Sequence, residues 1–375
     1  MKRILFLSTA KLSHRSGGAL ATLAYYNAIC SIFPGQVDLV MPEEFCIGDY
    51  KNAIKAPKRS MLSALLSGSM HRYKAVIKKY LKCNKGKYEL CFLNGGIYSG
   101  DMMDDIHSHG CKIIVLHHNF EREYQMDSKT TFTLGGRTSF FVNRNEKRAY
   151  QKADCNLFLS QEDKTLFETH YGLTNKPAVV TGSFEPVHEI LPQYENVTQN
   201  IIAITGSMNT NQTMCGIVDF TNNYYKDFRE ICPNWTLLIA GRNPREEVYK
   251  LKEMNPDSIS VIPNPEDMNA VLNGVSIFLC PTNVGGGLKL RVMDGLKAGL
   301  PILVHKISSR GYNYYLDKPY FKVYNDNQSF RKGLNALMDY CEKDFDRKTI
   351  QSDYKHYFGF EMGCNRLKHA LDLMK

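Results

Sequence analysis

The sequence predicts an α/β protein made of two doubly wound parallel sheets, one in each half of the chain. Three observations carry this prediction. The 375 residues are about twice a typical domain. Short runs rich in Val, Ile, Leu and Phe alternate with longer segments of helical period, the pattern of parallel βαβ construction. Glycine-rich turns follow several of the runs, at the strand ends where open parallel sheets receive ligands.

In chain order, the first half offers six strands: Arg3 to Ser8, Val37 to Met41, Leu90 to Asn94, Lys112 to His118, Cys155 to Ser160 and Ala178 to Gly182. Ser183 to Asn200 carries Pro186 and Pro192 without periodicity and reads as a linker. The second half offers six more: Ile201 to Gly206, Trp235 to Gly241, Ile259 to Pro263, Val275 to Pro281, Pro301 to His305 and Phe321 to Tyr324. The expected division is a first domain over 1–183, a linker over 184–200, a second domain over 201–350 and a closing helix over 351–375 that crosses back to the first. Two such sheets facing each other would enclose an interdomain cleft.

Composition narrows the chemistry. With 43% hydrophobic and 23% charged residues the chain is globular, and its 11 cysteines form no CxxC pair and no metal-ligand cluster. No signal or membrane-spanning run is visible, so the expectation is a cytoplasmic protein without zinc, possessing no nucleic-acid motif. The net charge of +9 is concentrated: from Lys51 to Tyr88 there are eleven Lys or Arg and no Asp or Glu. Met61 to Leu66 is apolar, and Tyr73, Val76, Ile77, Tyr80 and Leu81 recur at helical spacing between lysines. Such a stretch suits an anionic membrane surface, placing the protein peripherally at the inner face, or is simply a solvated helix face.

The strand-end loops hold the candidate site. Gly17 and Gly18 precede an apolar helix and could approach a phosphate or sugar, or form a plain turn. After the fourth strand, one of His117 and His118 must turn into the core; His118 is the candidate for sugar contact or proton transfer. Gly206, Ser207 and Asn211 follow the first strand of the second half, and Arg242 the second. The richest stretch is Gly285-Gly286-Gly287-Leu288-Lys289-Leu290-Arg291, leading to Asp294. Three glycines free N–H groups for an anion, and Lys289 and Arg291 are expected in the first turn of the next helix, neutralising a diphosphate. Asp294, seven residues beyond Gly287, would stand about 10 Å from it along the helix, accepting ribose hydroxyls, unless Arg291, Asp294 and Lys297 are only a surface ion-pair row.

These residues, with Ile201 to Met208, Leu237 to Pro244 and the Gly285 to Pro301 stretch, resemble the donor domain of family-4 glycosyltransferases of GT-B fold. The resemblance implies transfer of a sugar from a UDP- or GDP-linked donor to a polysaccharide or lipid-linked acceptor, with retention and without a metal or other cofactor. Asp294 takes the second Glu of that family's paired-Glu motif and Gly286 the first; Ser207 and Gln212 stand where its diphosphate clamp has Arg and Lys. Lys289, His118 and Asp294 are therefore the expected catalytic residues. The alternatives are a GT-B sugar-nucleotide epimerase, or a non-catalytic nucleotide-binding partner of another transferase.

Overall fold

The structure is a computed structural model describing residues 3–9, 11–13, 17–58, 60, 73–121, 135–194 and 199–374. It divides into two compact units, Met1–His188 with Gly359–Lys375, and Glu189–Phe358.

The first unit opens with β1 (Arg3–Leu7), α1 (Gly17–Ile32), β2 (Val37–Pro42) and β3 (Ile54–Ala56). It continues with α2 (Tyr73–Cys83), β4 (Tyr88–Asn94), α3 (Met103–His107), β5 (Lys112–His117), α4 (Gly135–Lys152), β6 (Cys155–Phe158), α5 (Gln161–Tyr171) and β7 (Ala178–Val180). All pairings are parallel, in the order β3-β2-β1-β4-β5-β6-β7. The sheet has seven strands rather than the expected six. β3 escaped the sequence reading because it is a three-residue edge strand inside the lysine-rich stretch, too short to show a period.

Strands buried on both faces need continuous apolar side chains, and those of β1 and β5 are almost wholly withdrawn from solvent. α1 lies close to the sheet because Ala21, Ala24 and Ala28 are small and buried there. Ser160 caps α5 by accepting the Asp163 N–H at 3.0 Å.

In the second unit, β8 (Ile201–Ser207), α6 (Asn211–Asn223), α7 (Tyr225–Ile231), β9 (Thr236–Arg242), α8 (Glu246–Met254) and β10 (Ile259–Pro263) come first. After them run α9 (Met268–Asn273), β11 (Ile277–Cys280), α10 (Arg291–Lys297), β12 (Ile302–His305), β13 (Phe321–Tyr324), α11 (Asn327–Lys343) and α12 (Arg347–Phe358). Its six parallel strands follow the expected positions and are ordered β10-β9-β8-β11-β12-β13. An Asp326–Ser329 capping box starts α11.

α13 (Phe360–Asp372) belongs to the first unit, where Phe360, Cys364, Leu367 and Ala370 join the core beside α1. The return begins at Gly359, not at 351, because Arg347, Ile350, Tyr354 and Phe358 of α12 are buried in the second unit. The stretch expected as linker is likewise shared out: Phe184 is buried in the first core, whereas Leu191 and Tyr194 pack on the second. Among the described residues no helix is long and apolar enough to cross a membrane.

Candidate functional site

In each sheet the chain reverses its direction of growth once, between β1 and β4 and between β8 and β11. At such switch points adjacent loops diverge and leave room for a ligand beyond the strand ends. The sequence-predicted residues collect at these two places.

In the second unit, Gly206 near the end of β8 pairs in register with Gly241 of β9. A Cβ on Gly206 would overlap the Arg291 guanidinium, so glycine is what lets that side chain lie across the end of β8. Arg291 is half-buried and donates from Nη2 to Thr213 Oγ1 at 2.6 Å; none of the ion pairs among the described residues includes it. Burial pulls its pKa down, with Cys280 and Asp294 opposing. Thr213, on α6, also meets Thr210 Oγ1 at 2.6 Å, and Thr210 Oγ1 donates to the Ser207 carbonyl at 3.0 Å.

The loop after β11 is buried at Gly285, Gly286 and Gly287. Gly285 has φ 84° and its missing side chain leaves space that Gln212 of α6 fills. The Lys289 ammonium is turned onto this loop, donating to the carbonyls of Gly285 at 2.7 Å and Gly286 at 2.8 Å. Lys289 therefore lies before α10, and Arg291 is that helix's first residue. The expectation that both cations occupy its first turn is corrected to this extent. The physical reason is that three glycines and a leucine cannot sustain a helix, whose first turn waits for Arg291. α10 is only seven residues long and does not reach back to Gly287, so the expected span of about 10 Å of helix between Gly287 and Asp294 is not formed; Asp294 is exposed one turn after the helix start, about 5 Å along it. Leu288 packs against the core of the unit, and the Tyr312 hydroxyl donates to the Lys289 carbonyl at 2.8 Å.

Ser207, ending β8, and Asn211, opening α6, flank the β8 loop. Asn211 Oδ1 accepts from Arg245 at 2.8 Å, and Arg245 also donates to the Asn209 carbonyl at 2.6 Å. The side chain of Arg242 is exposed at the end of β9, while its carbonyl accepts the Met208 N–H at 2.8 Å. Arg245 is thus bonded to the β8 loop and to the start of α6. One further polar atom stands out: Asn283 Oδ1 is buried with no hydrogen-bond partner among the described residues.

The first unit places Gly17 and Gly18 in the opening turn of α1, not in a loop. Thr22 Oγ1 donates to the Gly18 carbonyl at 2.7 Å and accepts from Asn94 Nδ2 at 2.8 Å; Asn94 Oδ1 then faces His118 Nε2 at 2.5 Å. This chain assigns the proton to Nε2 and leaves Nδ1 a bare acceptor, buried and unpartnered. Burial lowers the His118 pKa to about 4, so the ring is neutral. His117 turns the other way, bonded to Asn156 at 2.9 Å and stacked on Phe158. Beyond them Glu146 accepts the Glu121 N–H at 2.9 Å and the Tyr171 hydroxyl at 2.8 Å, and burial pushes its pKa up to about 7.

Sequence reasoning missed Thr213, Tyr312 and Asn94 as neighbours of the predicted residues, and had Gln212 only as the residue standing where the resembled family has a clamp Lys. A threonine pair at i and i+3 opening α6, and an asparagine ending an apolar strand, were the available signals.

Residues 199–339 match the family model of glycosyl transferases group 1. No curated protein matches the sequence. Among solved structures the chain is similar to HepE from Anabaena in complex with UDP, at 10% identity over 99% of each chain and a TM-score of 0.62. It is also similar to a glycosyltransferase from Rickettsia africae, at 11% identity over 100% of this chain and 99% of that one, with a TM-score of 0.66. Sucrose-phosphate synthase from Thermosynechococcus elongatus gives a TM-score of 0.68 at 11% identity, over 99% of this chain and 98% of that one. The second unit thus carries a glycosyl transferases group 1 domain, and the chain has the GT-B fold of glycosyltransferases.

Proposed function

We propose that this glycosyltransferase takes its sugar from a UDP- or GDP-linked donor and retains anomeric configuration. The observation that carries the reading is Arg291, a half-buried cation at the switch point of the second sheet that bonds to a hydroxyl and, among the described residues, is in no ion pair, Asp294 acting on it only from beyond ion-pair distance. Withdrawing such a charge from water without a counter-charge costs several kcal/mol. A diphosphate offsets that cost: at about 4 Å and an effective dielectric of 20, each cation–phosphate contact is worth of order 4 kcal/mol before desolvation. Lys289, held on the glycine loop, adds a second positive charge, and the unpartnered Asn283 carboxamide oxygen suits a donor from the ligand. Together they supply the stabilisation that a leaving diphosphate needs without a metal. Asp294, exposed one turn away, would accept ribose hydroxyls, and His118, in the other unit, would accept a sugar hydroxyl at Nδ1.

The acceptor is proposed to be a polysaccharide or lipid-linked glycan presented at an anionic membrane surface. Lys51, Lys55, Lys58, Lys79, Lys82 and Lys85 are exposed, in agreement with such a surface. The helical apolar stripe does not contribute, since Tyr73, Ile77 and Leu81 of α2 are buried in the core of the unit. The Met61 to Leu66 patch lies outside the described residues. Docking through α2 is therefore electrostatic.

Donor hydrolysis across UDP-, GDP- and TDP-sugars, with the anomer of the released sugar followed by NMR, tests the assignment. R291A is expected to weaken nucleoside-diphosphate binding more than about tenfold, and K289A by a similar factor; EDTA should leave the rate unchanged. Binding without turnover, even with acceptor present, would mark a nucleotide-binding partner. Release of an epimerised nucleotide sugar would mark an epimerase, a reaction disfavoured by Gly286 standing where an ionisable group would be needed.

A further inference from the structure

Arg291 is a long side chain whose charge is useful only if held at one place. What holds it is a directed row of hydroxyls. Thr210 Oγ1 has a single hydrogen and gives it to the Ser207 carbonyl at 3.0 Å. The 2.6 Å contact between the two threonines must then run from Thr213 to Thr210. Thr213, its own hydrogen committed, can only accept from Arg291 Nη2 at 2.6 Å. Both threonine hydrogens are thereby accounted for, and each link fixes the next.

We propose that Thr213, backed by Thr210, is the positioning residue that fixes the Arg291 guanidinium at the end of β8 for the donor's diphosphate. This rests on the nucleotide-diphosphate reading above. Gly206 completes the arrangement, because a Cβ there would displace the guanidinium. The arginine that opens α10 is in this way tied, through Thr213 and Thr210, to the β8 loop, whose own residues Ser207, Met208 and Asn209 carry no charge. Thr213 touches no reacting atom; it acts through Arg291. Its β-branched shape also fills a buried place on α6, so the test must separate shape from hydroxyl.

The isosteric T213V removes the hydroxyl and keeps the volume, whereas T213S keeps the hydroxyl. Calorimetric binding of UDP and GDP is compared with that of uridine and guanosine, which lack the diphosphate. T213V is expected to weaken the diphosphates about tenfold or more, the worth of one hydrogen bond to a charged group, with nucleoside binding unchanged. T213S should stay within about twofold of the parent. T210V, at an exposed position that does not endanger folding, should weaken the diphosphates in the same selective way but less. The inference is overturned if T213V, or T210V where T213V does not fold, binds the diphosphates as the parent does. It is overturned equally by a parallel loss of nucleoside affinity, or by T213S behaving as T213V. Failure of the parent to bind any nucleoside diphosphate would instead remove the functional reading on which it stands.

Discussion

His117 and His118 are neighbours in sequence, yet the pleat of β5 gives them opposite fates. One is a stacked core residue and the other a neutral ring at the strand end whose Nε2 is held by Asn94. Alternation made that division legible in the sequence; the Asn94–Thr22–Gly18 row was not, because its members lie far apart along the chain. Lys289 shows the same limit. Its proximity to three glycines was readable, but its engagement with their carbonyls depends on a loop conformation that only the packed structure sets. The His118 environment has a measurable consequence. Burial lowers the pKa to about 4, below the ordinary value near 6.5, so the unfolded chain binds more protons between those two values. Stability contributed by this ring is complete above pH 6.5 and is lost as pH falls toward 4. In H118N this loss disappears, while the opposite slope from Glu146, protonated more readily in the fold, remains in both proteins. Thermal unfolding at pH 7.5 and pH 5 should therefore show the parent losing more stability on acidification than H118N. Parallel curves would contradict the neutral assignment of His118.

Helices and strands were readable where their periods are long. All six strands of the second sheet and six of the first follow from apolar runs, whereas β3, with three residues, leaves no pattern. α10 is shorter than its sequence suggests, since the glycine-rich run before it holds the loop open as far as Leu290. α13 carries a signal of its own, a glycine inside an otherwise periodic helix, for which close packing is the usual reason. Gly363 lies directly against the ring of Phe184, itself packed on Tyr25 with centroids 4.8 Å apart, and Arg366 fastens the helix by donating to the Thr181 carbonyl at 2.7 Å. A methyl group at 363 would fall inside the Phe184 ring, and a fully buried phenyl has nowhere to go without shifting α1 or α13. G363A is expected to destabilise the first unit by about 2 kcal/mol, within the range for overpacked cores. Urea unfolding followed by far-UV circular dichroism measures it; a change under about 0.5 kcal/mol would mean that the helix is not seated on Phe184.

On the scale of the whole molecule the positive charge is lopsided, and the structure alters what that asymmetry can do. The sequence reading joined lysines and apolar residues of the 51–88 stretch into one interfacial surface. In the fold, α2 turns its apolar stripe inward, and two cations are engaged locally, Lys78 with Asp105 at 3.4 Å and Lys87 with Asp38 at 3.3 Å. The exposed lysines that remain act as charges near a surface, each worth about 1 kcal/mol against an anionic leaflet and screened within about 10 Å at 0.1 M salt. A surface of this kind binds reversibly and is sensitive to salt, unlike one that inserts apolar side chains. Sedimentation with vesicles of phosphatidylcholine and phosphatidylglycerol should show binding that rises with the anionic lipid and vanishes near 0.5 M salt. Reversing Lys79, Lys82 and Lys85 to glutamate should weaken it by more than about tenfold, because three favourable charges become three unfavourable ones, while UDP affinity stays as in the parent. Binding that persists at high salt would point instead to apolar insertion outside α2, and indifference to anionic lipid would reduce the lysine-rich face to a solvated surface.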